Sequence, residues 1–213
     1  KEYPVKAKFI TLEGSEGAGK STNIQTVCDT LDQLGIAHVR TREPGGTEMA
    51  EALREVMLRD WREDVSGLTE LLLVFAARSQ HLQEVIRPAL GAGKWVVCDR
   101  FTDATFAYQG FGRELDLEQL KVLEHWVHGD LQPDLTLYLD VDPALSEQRI
   151  SDRTKDRMEQ EQRAFFQRVR EGYRHRASSY ARIKTIDASQ PLATVSDQVS
   201  SLVTRLASTE ATG

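Results

Sequence analysis

The sequence predicts an α/β fold: one five-stranded parallel sheet flanked by helices. Three observations predict it. Short apolar runs alternate with amphipathic helical stretches along the chain, which implies βαβ crossovers and a sheet covered on both faces. The first run, Phe9 to Glu13, leads directly into Gly14-Ser-Glu-Gly-Ala-Gly-Lys20-Ser21 and then into a helical pattern. That stretch fits G-x-x-x-x-G-K-[ST] in the strand–loop–helix context a phosphate-binding loop needs. The polar sequences after the first three strands, including 42–47 and Asp99-Arg100, fall at strand carboxyl ends, where such sheets bind ligands.

The elements run in order. A helix over residues 21–34 ends at Gly35, a C-cap residue, and 35–41 reads as the second strand. Arg42-Glu-Pro-Gly-Gly-Thr47 is a loop, and 49–59 is helical. Ser66 is placed to cap a long helix over 68–90, apolar nearly all round at 71–77 and so buried on more than one side. Residues 94–98 form the third strand, 117–127 an amphipathic helix and 135–139 the fourth strand. Asp142-Pro143 opens the next helix. It runs into a charge-dense stretch, 149–163, before a helix over 161–181, a short strand at 183–186 and a closing helix over 192–206. The whole chain reads as one domain, with a small polar tail, 207–213, expected to fray.

Bulk properties narrow the function. The 213 residues carry a net charge of −6, which argues against a partner that is polymeric nucleic acid. Cys28 and Cys98 lack metal-site spacing, which suits a reducing, cytoplasmic location. The start of the chain has no apolar leader-like run, and 71–77 is too short to span a bilayer, so no membrane partner is expected.

The loop glycines let the backbone wrap phosphate oxygens, and the helix N-terminus adds partial positive charge. The predicted donor-phosphate site comprises Gly14, Ser15, Glu16, Gly17, Ala18, Gly19, Lys20, Ser21 and Thr22. Lys20 reaches the β/γ-phosphates, and the Ser21 hydroxyl with Asp99, closing its strand, is expected to hold Mg²⁺. Arg100 aims a fork of donors at a phosphate. Glu16 is anomalous in a phosphate loop and is expected to face a sugar hydroxyl, a cation or a lid arginine; pointing to solvent is the bland alternative. Positions 15–18 contain no basic residue, so the charge that phosphoryl transfer demands must come from elsewhere. Arg149, Arg153 and Arg157, spaced by four on one helical face, are the candidates for a mobile lid over 149–163; a solvated charge face is the bland alternative. Phe75 and Arg78 share a helix face, and the pattern leaves open whether they meet a base or fill core.

The chain resembles the thymidylate kinase family. The resemblance rests on the loop 13–21, Arg42-Glu-Pro-Gly-Gly-Thr47, Phe75-Ala-Ala-Arg78, Asp99-Arg100-Phe101, Ala107-Tyr-Gln-Gly110, Asp156-Arg-Met-Glu159 and Asp187-Ala-Ser-Gln-Pro191. It implies a P-loop nucleoside monophosphate kinase fold with a short lid, of the bacterial subtype whose lid carries the arginines, and a homodimer. By resemblance, Phe75 stacks on thymine and Arg78 donates to its exocyclic oxygen. Thr105 and Gln109 lie at the thymine edge or its phosphate side, and Tyr108 disfavours a ribose 2′-hydroxyl. Glu16 lies near the 3′-hydroxyl, Arg100 holds the dTMP phosphate, and Glu43, Pro44 and Leu53 line the acceptor pocket. Ala188 and Gln190 receive adenine under Arg149. Lys20, Arg100, Arg153, Arg157 and Glu16 are the expected catalytic set. Phe101 and Ala104 replace the Tyr or His and the Ser of many relatives, losing those polar contacts. The implied activity is transfer of the γ-phosphoryl of MgATP to dTMP. Its rivals are a kinase for another nucleoside monophosphate or a deoxynucleoside, and a non-catalytic nucleotide-binding switch.

Overall fold

The computed structural model describes residues 7–149 and 156–208. Its centre is a sheet of β1 (Phe9–Glu13), β2 (His38–Arg42), β3 (Trp95–Asp99), β4 (Leu135–Asp140) and β5 (Ile183–Asp187). All pairs are parallel, in the order β2-β3-β1-β4-β5. The expected five-stranded parallel sheet is therefore what forms. The register sets Leu12 of β1 beside Asp99 of β3, and Glu13 beside Tyr138 of β4.

Side chains alternate across the sheet. Ile10 and Leu12, with Val97, Leu137 and Leu139, form one apolar face under α1 (Lys20–Gln33) and α9 (Leu192–Ser208) through Ile24, Val27, Leu31, Val195 and Val199. The opposite face carries Phe9, Thr11 and Glu13. Near β3 it is apolar: Phe9, Val96 and Cys98 pack on Leu82, Ile86 and Phe101. Toward α8 (Arg163–Ser179) it is polar. Thr11 and Thr136 share a 2.7 Å hydroxyl contact, and buried Asp103 accepts from Arg176 at 2.8 Å and Arg182 at 2.6 Å.

The remaining helices are α2 (Glu48–Leu58), α3 (Gly67–His81), α4 (Arg87–Gly91), α5 (Thr102–Thr105), α6 (Leu117–His128) and α7 (Pro143–Arg149). Ser66 caps α3 as expected, accepting from Thr69 N at 3.1 Å. The helix expected over 68–90 is not uniform. A π-helical turn, Leu82–Ile86, separates α3 from α4, and the Arg87 N–H donates to Leu82 O. Pro88 explains it: with no N–H and a ring that collides with the carbonyl four residues back, it cannot continue α pitch, and a wider turn absorbs the misfit. A second π segment, Phe106–Gly112, follows α5, where the sequence suggested only glycines and aromatics. Two boundaries also shift: β2 begins at His38 rather than 35, after Gly35 turns the chain at φ 68°, and Ala207 and Ser208 belong to α9 rather than to a frayed tail. Of the expected lid, residues 150–155 lie outside the described residues.

Candidate active site

Gly14 opens the phosphate loop at φ 141°, where a Cβ would meet Leu139 O at 2.7 Å; a side chain here would push the loop off the sheet. Gly19 precedes α1 at φ 88°, and no side chain caps that helix. Its first amides are thus left for an anion. The Lys20 Nζ donates to Ser15 O at 3.0 Å and lies 3.6 Å from Glu16 Oε1. Burial, and then Arg100, pull the Lys20 ammonium below its ordinary pKa, while Glu16 and Asp99 oppose that shift.

Asp99 and Ser21 fit the Mg²⁺ expected of them. Asp99 Oδ1 is buried without a hydrogen-bond partner among the described residues, while the Ser21 side of α1 is open. No cluster of three or more acidic, His or Cys ligands occurs among the described residues.

Arg100 adopts φ 64°, which costs a non-glycine residue strain. Two acceptors on β1 hold it there: Leu12 O takes the Arg100 N–H at 2.9 Å, and Glu13 Oε1 takes the Phe101 N–H at 2.8 Å. Its Nη2 donates to Glu16 Oε1 at 2.6 Å and reaches Gly14 O and Tyr108 OH at 3.3 Å each. Its Nε is buried and unpartnered among the described residues. Glu16 therefore faces cations, one of the three options its position allowed. Glu13 is fully buried and accepts from Tyr173 OH at 3.0 Å. Burial, with nearby Asp103, pushes its carboxyl up from an ordinary 4.5 to about 8.

Beside the loop lies an open cavity. Glu16, Glu43, Pro44, Arg78, Arg100, Thr105, Tyr108 and Gln109 all line it, so the structure brings together most of the expected acceptor residues. Arg78 is anchored on two nitrogens. Nε donates to Glu43 Oε2 at 2.6 Å, and Nη2 to Phe101 O at 3.0 Å and Thr105 Oγ1 at 2.8 Å. Nη1 has no partner among the described residues. Gln109 donates to Glu70 at 2.6 Å. Phe101 and Ala104 also line the cavity, and the backbone of Phe101, not its ring, supplies the polar contact.

Phe75 packs with Leu71, Phe106 and Leu120, its ring 5.2 Å from the Arg78 guanidinium. Its neighbour Val74 lines the cavity, and α2 contributes Arg54, Met57 and Leu58 to the wall beside Leu53.

On the donor side, Arg149 donates to Gly17 O at 3.2 Å and Ala188 O at 3.0 Å, clasping the phosphate loop to the loop after β5. Gln190 in that loop donates to Asp187 at 3.0 Å. Arg153 lies outside the described residues. Arg157 Nε donates to Met57 O at 2.9 Å and its Nη2 to Glu70 Oε2 at 2.8 Å. It binds the α2–α3 side, and its hydrogen bonds among the described residues do not reach the phosphate loop.

Sequence reasoning missed Arg54, Glu70, Glu13 and Tyr173. Arg54 lines the cavity and donates to Pro44 O at 3.3 Å; burial, then Arg42 and Arg100, lower its guanidinium pKa, as for a cation short of anions. Its only sequence signal was position, one residue after Leu53. Glu70, fully buried, gathers Gln109, Arg113 and Arg157. An acid inside an apolar helix face was the signal there.

The thymidylate kinase family model matches residues 12–199. A thymidylate kinase of Pseudomonas savastanoi pv. phaseolicola is 54% identical over 200 residues, covering 93% of this chain and 95% of that protein. One from Chromohalobacter salexigens is 53% identical over 206 residues, covering 94% and 97%, and one from Teredinibacter turnerae 52% over 194, covering 90% and 95%. A loop built for a phosphate chain, an arginine-lined cavity beside it, and this near-complete overlap converge: the chain belongs to the thymidylate kinase family.

Proposed function

We propose that this chain is an ATP-dependent dTMP kinase, transferring the γ-phosphoryl group of ATP to dTMP to give dTDP and ADP. The observation that carries this reading is the cavity itself: it sits at the carboxyl edge of the sheet against Glu16 and Arg100 of the loop region, with Arg78 anchored in its wall. The acceptor phosphate needs no strong general base, because a phosphate dianion is already nucleophilic. This chain supplies position and charge. Lys20 and the α1 amides hold the donor phosphates; Arg100 and Arg54 hold the acceptor phosphate; Arg153 of the lid stabilises the transferring group. Ser21 and Asp99 would hold Mg²⁺, which would supply neutralisation of phosphate charge. Arg149, Ala188 and Gln190 receive the adenine. Arg78 Nη1 donates to a base carbonyl, with Val74 against the ring.

The test is ADP release from MgATP with dTMP, dUMP, CMP or thymidine offered in turn. Release with dTMP is expected; release with thymidine but not dTMP overturns the reading.

The functional unit is a homodimer in the same reading. Leu68 and Leu72 on α3, Met49 and Val56 on α2, and Val122 and Trp126 on α6 are exposed apolar residues on helices that pack side by side. Trp126 is 81% exposed, and such a patch is a docking surface rather than ordinary solvent-facing surface. No described helix is long and apolar enough to cross a membrane. Both cysteines are free thiols, which supports a reducing, cytoplasmic setting.

A further inference from the structure

We propose that His81 is a positioning residue for acceptor-base recognition: it fixes Glu43, Glu43 fixes Arg78, and one guanidinium nitrogen is thereby left for the base. The proposal deepens the dTMP kinase reading and rests on it.

The geometry is a buried chain of four side chains. Thr41 Oγ1 lies 2.6 Å from His81 Nε2. His81 Nδ1 lies 2.9 Å from Glu43 Oε1, and Glu43 Oε2 accepts from Arg78 Nε at 2.6 Å. His81 is fully buried and Glu43 nearly so, and neither has another side-chain partner among the described residues. A carboxylate with one oxygen on Arg78 could still rotate about its terminal torsion. The imidazole on the second oxygen prevents that. Because Glu43 accepts, Nδ1 carries hydrogen, and Thr41 fixes the ring from the far side.

The backbone is shaped to admit this imidazole. Gly46, at φ 86°, passes so close that a Cβ there would stand 2.6 Å from the ring and 2.7 Å from Thr41 Oγ1. His81 is also the last residue of α3 before the π-helical turn, one helical turn from Arg78 on the same face. The consequence is chemical selectivity. With Nε and Nη2 committed, Nη1 is a fixed donor, which favours a pyrimidine with a carbonyl at the ring edge over one with an amino group there.

The experiment is steady-state kinetics of wild type, His81→Leu, His81→Asn and Thr41→Val with dTMP and with dCMP, and with folding checked by thermal melts. His81→Leu is expected to raise the dTMP KM about tenfold while kcat falls less than about threefold and the MgATP KM holds. The dTMP-over-dCMP preference in kcat/KM should drop by a similar factor. His81→Asn, whose amide can stand in for Nδ1–H, should recover most of the loss. Equal losses for both nucleotides, a loss confined to kcat, or no change overturns the role. Should His81→Leu fail to fold, Thr41→Val decides alone: about a threefold rise in dTMP KM is expected, and an unchanged KM overturns the proposal. A wild type that makes no ADP with dTMP would sink the kinase reading instead, so the two failures are separate.

Discussion

Arg157 donates to Glu70 at 2.8 Å, which ties it to the α2–α3 side of the cavity. Glu70 is fully buried and also holds Gln109 and Arg113, so Arg157 neutralises a buried acid that supports the cavity wall. Arg153 and Arg157 are therefore expected to respond differently to substitution. Arg153→Ala should lower kcat by about 10²–10³ with a small effect on dTMP KM. Arg157→Ala should instead cost about 1–3 kcal/mol of stability and lower kcat by less than about tenfold. Urea unfolding alongside steady-state kinetics checks both. A kcat loss in Arg157→Ala matching that of Arg153→Ala, at unchanged stability, would return Arg157 to the reacting phosphate.

Arg54 is expected to share the acceptor phosphate with Arg100. Arg54→Met keeps the stem that packs beside Met57 and removes the charge. It should raise the dTMP KM about 10–100-fold and leave the MgATP KM unaltered. Direct calorimetry with dTMP and ATP separately reads the same split.

Phe75 and Val74 should respond oppositely to truncation. Phe75→Ala empties a core position among Leu71, Phe106 and Leu120 and should cost about 3–5 kcal/mol of stability. Val74→Ala should cost less stability and raise the dTMP KM several-fold, or about 1 kcal/mol of binding. A Phe75→Leu enzyme with a large KM defect and unaltered melting would place the ring back at the base.

Two buried groups set the pH dependence of stability in opposite directions. Glu13 is held neutral to about pH 8, against an ordinary 4.5, mainly by burial. Its contribution is full below 4.5 and is lost as pH rises toward 8, because only the unfolded chain releases the proton in that window. His128, buried with neither ring nitrogen partnered among the described residues, is pushed from 6.5 down to about 2, again chiefly by burial. Its contribution is full above 6.5 and lost as pH falls. Between about 4.5 and 6.5 the two slopes cancel; above 6.5 only that of Glu13 remains. Melts of wild type should thus decline from pH 6.5 to 8, and Glu13→Gln should flatten that decline, with a gain of about 1–3 kcal/mol at pH 8. A slope unaffected by the substitution assigns it to another group.

Leu72→Glu on the exposed face of α3 should convert the proposed dimer to monomer. Light scattering on a sizing column reads the change directly, and a wild type that already runs as a monomer removes the interface.

The sheet and the phosphate loop were legible because both are written in contiguous residues: apolar runs of strand length, and glycines at fixed spacing. The cavity was legible only in part, since its wall depends on helical phase. One residue along a helix turns a side chain by about 100°, so the sequence alone does not show that Val74 and Arg54 line the wall next to Phe75 and Leu53. Nor does the pattern show that Phe75 packs among Leu71, Phe106 and Leu120. Glu13, Glu70 and Tyr173 were illegible for another reason. Each acts through partners between 39 and 160 positions away, and nothing local marks a buried carboxyl as a hub.

The π segment Phe106–Gly112 carries Tyr108 and Gln109 into the cavity on a helix that holds one residue more than α pitch requires. That surplus residue makes the wall a vernier. Deleting a single residue there could heal the segment to regular pitch without breaking it, while rotating its N-terminal side by about 100° against its C-terminal side. Acceptor choice in this fold is therefore adjustable by chain length as well as by substitution, and one-residue deletions across 106–112 are a compact library for changing which nucleotide the cavity accepts.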